Sequence, residues 1–285
     1  MVVSLSGSTG FIGRALMKKM VEMGWTVREI NRGSMSLSDQ EFCEQKTEGT
    51  DAVINLAGAP VSKKWTPAYK LEIMNSRVNI TRKISESIIN AKLKPSVFIS
   101  TSAIGIYDSV NLHSESSVAF ADSYLAKVCR NWENEAMKSN NATRVVIFRM
   151  GVVLGEDGGA LEKMRLPFSI GLGAKLGSGK QAVSFIHLSD LIAAIIFTIE
   201  NPAIIGIVNA VSPYPTNNAE FTDKLGKVFD QPSWLTIPAF ALKMIYGEGA
   251  QVFLVGQKVI PEKLLQAGFR FTYPTIQNTL VQIYR

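Results

Sequence analysis

Val2-Val3-Ser4-Leu5-Ser6-Gly7-Ser8-Thr9-Gly10-Phe11-Ile12-Gly13 opens the chain and decides how the rest is read. Val2 to Leu5 is a short β-rich run, the glycines follow at three-residue spacing, and Arg14 to Met23 then carries a helical pattern that Gly24 ends. A strand, a glycine turn and a helix in this order predict a dinucleotide fingerprint. Gly7 allows the tight turn, Gly10 lets backbone approach a pyrophosphate, and Gly13 lets the helix pack on the strand. The amides at the helix start, on Phe11, Ile12 and Gly13, then face phosphate charge, with Ser8 and Thr9 in the turn between.

Trp25 to Ile30 reads as a second strand and completes a βαβ unit. An acidic residue at its tip would bind a ribose 2′-hydroxyl, whereas an arginine accommodates a 2′-phosphate. The tip is Asn31-Arg32, so NADP is expected over NAD; Glu29 stands two residues earlier. Further buried-strand patterns fall at Asp51 to Gly58, Ser96 to Thr101, Arg144 to Phe148 and Val183 to His187. Helical segments fall near Pro67 to Ala91 and Ser123 to Met137. Apolar strands alternating with helices predict an α/β fold of Rossmann type, a doubly wound parallel sheet covered on both faces. After about Asn209 the alternation weakens, with helical pieces near Asn218 to Phe229 and Pro238 to Tyr246. The expected organisation is a dinucleotide-binding domain over 1–158, rejoined by 183–213, and a smaller substrate-side lobe from 159–182 and 214–285.

Of the 285 residues, 46% are hydrophobic and 19% charged, enough apolar content for a sizeable core. Lys and Arg outnumber Asp and Glu by 30 to 24, a net charge of +6, but the cations are scattered singly and in pairs without interleaved aromatics. That pattern argues against nucleic acid and suits a basic surface tolerant of phosphorylated small molecules. Two distant cysteines, Cys43 and Cys129, suggest neither a disulfide framework nor a metal site, and fit a reducing cytoplasm. The longest apolar run, Leu191 to Ile199, falls short of the ~20 residues of a membrane span. No secretory leader is expected at this N-terminus, nor a membrane partner. A monomer or homodimer acting on a small molecule is the expected form.

Asn55-Leu56-Ala57-Gly58, Arg77-Val78-Asn79-Ile80-Thr81 and Ser100-Thr101-Ser102-Ala103-Ile104-Gly105-Ile106-Tyr107 extend the opening motif. Together they resemble the extended short-chain dehydrogenase/reductases, the NAD(P)-dependent epimerase/dehydratase group. Arg149 to Gly155, Gly177 to Gln181, Phe185 to Asp190, Pro261 to Leu264 and Gly268 to Phe271 are similar, more closely, to the atypical sugar-nucleotide-epimerase-like family, which ends in a small domain of unknown function. The likeness spans essentially the whole chain. It implies cofactor contacts at Leu56, Ala57, Gly58, Arg77, Ser100 and Met150. It also implies a chemistry in which Ser102 holds the substrate oxygen, Tyr124 moves a proton and a lysine lowers the tyrosine pKa, since an unperturbed tyrosine near 10 is a poor base.

The superfamily spacing is YxxxK, yet Val128 occupies the lysine position and the nearby cation is Lys127. Lys127 shares a helix face with Tyr124 at i+3, turned about 100° from Val128. Two readings follow: an NADP-dependent oxidoreductase or epimerase on a small polar, free or nucleotide-linked carbonyl or hydroxyl compound, with Ser102, Tyr124 and Lys127 as its catalytic set, or a dinucleotide-binding protein without turnover that has lost the pair. Elsewhere, Asn79 is expected to hold backbone beside the active strand, Tyr107 to pack rather than line a nicotinamide pocket, His187 and Asp190 to link the lobes rather than act as an acid/base pair, and His113 to be solvated. Lys175 and Lys180, among glycines, could receive a phosphorylated ligand or ride on a mobile loop.

Overall fold

A computed structural model describes residues 1–285. Six parallel strands form the central sheet: β1 (Val2–Ser6), β2 (Thr26–Ile30), β3 (Ala52–Asn55), β4 (Val97–Ala103), β5 (Arg144–Met150) and β6 (Gly206–Ala210). Their spatial order is β2-β1-β3-β4-β5-β6. The chain runs from β1 outward to β2 and returns past β1 to β3, so the order reverses between β1 and β3 and leaves a crevice at their carboxyl ends.

Period-two alternation assigns the two faces. Val3, Leu5, Ala52, Ile54, Val97, Ile99, Val146 and Phe148 point into one core with Leu16 and Met20 of helix Phe11–Glu22 and the apolar side of helix Leu188–Glu200. Val53, Phe98, Val145 and Ile147 point the other way, against Ile80, Ile84 and Ile88 of helix Pro67–Asn90 and Ala136 of helix Tyr124–Met137. Both of these helices begin on a hydroxyl cap. Thr66 accepts from the Tyr69 amide at 3.1 Å and Ser123 from the Ala126 amide at 3.1 Å, satisfying donors the first turn leaves open.

β6 is a strand that the sequence pattern hides, because Gly206-Ile207-Val208-Asn209-Ala210 carries a polar residue inside a short run. The segment expected as one strand at Val183 to His187 is divided. Ala182–Val183 pairs antiparallel with Thr216–Asn217, Phe185–His187 pairs parallel with Val152–Gly155, and neither joins the six-stranded sheet. Ser184 at the break donates to the Gln257 carbonyl, and its carbonyl accepts from the Val152 amide.

A third apolar core gathers Leu161 and Phe168 of helix Gly159–Ser169, Phe221 and Leu225 of helix Asn218–Val228, and Ile276, Leu280 and Ile283 of helix Ile276–Tyr284. The tail is shared out, since Leu264 and Phe269 bury in the core of the large sheet instead. No helix is long and apolar enough to cross a membrane.

Candidate dinucleotide cleft and a buried polar network

A cleft of about 1000 Å³ lies over the β1/β3 crevice, lined by Gly7, Ser8, Thr9 and Gly10, by Asn31 and Arg32 after β2, and by Leu56, Ala57 and Gly58 after β3. Gly7 has φ +71°, and a Cβ there would sit 2.9 Å from the Leu56 carbonyl carbon. At Gly13 the requirement is packing, because a Cβ would fall 2.1 Å from the Gly7 oxygen. Helix Phe11–Glu22 starts at Gly10 with no side-chain cap and no acidic residue in its first turn. The amides of Phe11, Ile12 and Gly13 are therefore left for an anion, reinforced by the helix dipole.

Asn31 does not reach into the cleft as a free group; its Oδ1 accepts the Ser34 amide at 3.0 Å and fixes the turn after β2. Arg32, one residue on, is exposed and engaged by no carboxylate. Glu29 is occupied, accepting the Ser8 hydroxyl. A glycine cradle, an uncapped helix start and an unpaired guanidinium are a donor set that fits a dinucleotide carrying a further phosphate.

Six of the expected cofactor residues do not line the cleft: Phe11, Ile12 and Gly13, which form the helix start beside it, and Arg77, Ser100 and Met150, which stand farther off. Arg77 lies behind it, its guanidinium donating to the Ala59 and Ile73 carbonyls at 3.0 and 3.1 Å, packed against Gly58 and over the Trp132 ring at 5.2 Å. Burial pushes its pKa down. Ser100 is fully buried on β4, with a hydroxyl that has no hydrogen-bond partner. Met150 ends β5 half-buried against the first core. Asn79 lines the cleft. Backbone beside the active strand is held instead by Thr101, whose hydroxyl donates to the Asn55 carbonyl at 2.9 Å, while Asn55 Nδ2 donates to Thr81 Oγ1 at 2.7 Å. Lys63, Glu72, Asn75 and Ser76 also line the cleft, and no motif marked them.

The structure does not gather Ser102, Tyr124 and Lys127 into one constellation. Ser102, Arg149 and Asn209 share one register across β4, β5 and β6, on the face where the alternation turns polar at the strands' carboxyl ends. Ser102 Oγ donates to Glu133 Oε1 at 2.6 Å. Arg149 grips both oxygens of that carboxylate, Nε at 2.9 Å and Nη2 at 2.7 Å, and gives Nη1 to the Tyr107 hydroxyl at 2.8 Å. Tyr107 in turn donates to Asn209 Oδ1 at 2.9 Å. The Asn209 amide and the Lys263 amide both reach the Glu115 carboxylate. Burial drives the Tyr107 hydroxyl pKa up against the pull of Arg149, and burial likewise raises that of Glu115.

Tyr124 is elsewhere, donating to the Lys70 carbonyl, edge-on to Trp65 at 5.4 Å and under Lys70 Nζ at 5.3 Å. Burial raises its pKa, opposed by Arg77. Lys127 points to solvent, while Val128 is buried with Trp65 and Ile73, so the inward position of the helix is apolar.

His113, expected in solvent, is buried, stacked on Tyr107 at 4.6 Å with Nε2 at 3.1 Å from Asp108 Oδ1. His187 caps helix Leu188–Glu200 by accepting the Ser189 amide on Nδ1 at 3.1 Å, with Nε2 on Gln282 at 2.6 Å. Asp190 holds the Thr272 and Tyr273 amides at 2.9 Å each. Both residues are committed to joining segments rather than to proton transfer. Lys175 and Lys180 do not line the cleft.

A model of the NAD dependent epimerase/dehydratase family matches residues 3–210, and one of a domain of unknown function matches residues 237–283. The chloroplastic epimerase family protein SDR39U1 homolog of Arabidopsis thaliana is 41% identical over 98% of this chain and 86% of its own. The crystal structure of human epimerase family protein SDR39U1 with NADPH superposes with a TM-score of 0.92 at 29% identity, covering 100% of this chain and 99% of that one. A nucleoside-diphosphate sugar epimerase from Corynebacterium glutamicum gives a TM-score of 0.79 at 27% identity, with this chain covering 59% of its length.

Proposed function

This chain belongs to the NAD-dependent epimerase/dehydratase family, and from that membership we propose that it binds NADP(H) and acts as an oxidoreductase or epimerase on a small polar carbonyl or hydroxyl compound. The observation that carries the cofactor reading is Arg32, an unpaired guanidinium on the wall of the cleft that holds Gly7 and Gly10. A fork of donors there suits a ribose 2′-phosphate better than a bare hydroxyl. The human relative crystallised with NADPH supports the same choice.

Gly7, Gly10 and Arg32 would hold the dinucleotide, whose nicotinamide would supply the hydride chemistry, and this chain's part is the proton. Tyr124 is the residue proposed to donate it. Its hydroxyl rests on the Lys70 carbonyl, a bond that a substrate oxygen has to replace, and like any tyrosine with a pKa of 10 or above it is protonated at neutral pH, which suits reduction, in which an acid protonates a developing alkoxide, better than oxidation, in which a base is needed. Ser102 and Lys127 have no part in this scheme, because Ser102 is tied by a charge-assisted bond to the buried Glu133–Arg149 pair and the Lys127 side chain faces solvent. A second reading, cofactor binding without turnover, is favoured by Val128, which closes the position of the superfamily's lysine with apolar packing.

Titration with NADPH and NADH tests the first half. Wild type should prefer NADPH, and Arg32→Ala should weaken NADPH by about tenfold while leaving NADH unchanged; an unchanged ratio rejects the assignment. NADPH oxidation with a panel of sugar nucleotides and simple carbonyls tests the second half. Turnover that Tyr124→Phe abolishes supports the acid role, and turnover indifferent to it removes Tyr124. Tight NADPH binding with no turnover on any compound selects the second reading.

A further inference from the structure

The cleft has a second cation, Lys63, and its loop is held by the carboxyl-terminal domain. Lys63 lies on the segment after β3, lines the cleft with Gly7, Gly10 and Arg32, and is exposed. Its ammonium stands over the Tyr69 ring at 5.2 Å and has no carboxylate partner. An aromatic face restrains a cation while leaving its hydrogen-bond donors free for an anion.

The loop beneath that ammonium is fastened at several points. The Tyr69 hydroxyl donates to the Pro60 carbonyl at 2.5 Å, and the buried Trp65 indole donates to the Val61 carbonyl at 2.9 Å. From the other side comes the turn Gly247–Ala250, within the stretch matched as a domain of unknown function. Gly249 of that turn is buried and packs so closely that a Cβ would lie 2.7 Å from the Lys63 carbonyl oxygen and 3.0 Å from the Trp65 ring. Glu248 beside it forms an ion pair with Lys70, and Val252 packs into the Trp65, Ile73 and Val128 cluster.

We propose that Lys63 binds a diphosphate in this cleft and that the Gly247–Ala250 turn sets its position, which gives the carboxyl-terminal domain a part in ligand binding. The proposal rests on the cleft being the dinucleotide site. Two ligands could bring a diphosphate there, the dinucleotide itself or a nucleotide-linked substrate, and both are read by the same ammonium.

Calorimetric titration of the full chain separates the cases, with NADPH, ADP-ribose and UDP-glucose as probes and Lys63→Gln as the variant. If the diphosphate is the dinucleotide's, Lys63→Gln weakens NADPH and ADP-ribose by about tenfold each. If it is the substrate's, NADPH affinity holds while UDP-glucose binding to the NADPH-loaded chain weakens to a similar extent. No change for any probe overturns the Lys63 assignment while leaving the cleft reading intact, and a wild-type chain that binds none of the three overturns both. For the turn, Gly249→Ala should weaken whichever probe Lys63→Gln weakens, and the double variant should be no weaker than the worse single one. Additive losses overturn the positioning role. Should Gly249→Ala fail to fold, Glu248→Gln, which cuts the tie to Lys70 at the surface, is expected to lower the same affinity two- to threefold, and no effect counts against the turn.

Discussion

The Ser102 hydroxyl donates to Glu133 Oε1 at 2.6 Å, and that same oxygen accepts Arg149 Nε at 2.9 Å. A hydroxyl expected to steady a substrate oxygen is thus the third partner of a buried ion pair. Hydrogen bonds to charged groups contribute about 1.5–3 kcal/mol, and removing one member of a buried pair costs about 3–5 kcal/mol because the other charge is stranded. Ser102→Ala should lower unfolding free energy by roughly 1–3 kcal/mol and Glu133→Ala by roughly 3–5 kcal/mol in urea melts. NADPH affinity of the folded Ser102 variant should stay within about twofold; a loss near tenfold, 1.4 kcal/mol, would place Ser102 on the cofactor instead.

Val128 gives a sharper contrast. Restoring the superfamily spacing with Val128→Lys puts an ammonium among the apolar surfaces of Trp65, Ile73 and Tyr124. The variant should lose about 3–5 kcal/mol at pH 7, the cost of an uncompensated buried charge. A lysine whose pKa falls on burial is neutral in the fold and protonated when unfolded. Its penalty should therefore shrink as pH rises towards about 10. Wild-type stability in the variant would mean that the pocket already accommodates a cation.

Gly13 tests the cradle itself. A methyl group at this position meets backbone, the Gly7 oxygen and the Ser8 Cα, not a side chain that can turn away. Gly13→Ala should cost about 1–3 kcal/mol, the range for an overpacked site, and lower NADPH affinity at least in proportion to the displaced turn. Calorimetry on folded protein that shows unchanged affinity would separate the turn from the ligand.

His187 carries a pH dependence. Burial lowers its pKa below the ordinary 6.5, so the unfolded chain takes up a proton before the folded chain does. Its contribution is present above the unfolded value and lost as pH falls from about 6.5 towards the folded value. Unfolding free energy should drop between pH 7 and pH 5, and His187→Gln should flatten that part of the curve; an unaltered slope would assign it to other groups.

Much of this was legible in the sequence where a local rule had one outcome. Gly7 and Gly10, the strand tip Asn31-Arg32 and the loop after β3 all line the cleft, because a strand that feeds a glycine turn at the sheet's carboxyl edge has few places to go. Glu133 was not legible. It sits on helix Tyr124–Met137 at the spacing of Ala126, Cys129 and Ala136, and only tertiary pairing with Arg149 explains a carboxylate on a buried face. β6 was hidden for a related reason: Asn209 interrupts an apolar run because its side chain serves Tyr107 and the Ile260 carbonyl, partners distant in sequence. Lys63 carried no motif, since its place depends on a turn nearly two hundred residues later.

Leu264 and Phe269 belong by sequence to the stretch matched as a separate domain, yet they are buried with Val3, Leu16 and Phe148. A chain ended near Ala210 would keep all six strands and still present an open apolar seam along the helices of one face. The stretch matched over residues 237–283 is for this reason no detachable module. Melting should proceed as one cooperative transition, and shortened chains should aggregate instead of leaving a working nucleotide-binding core.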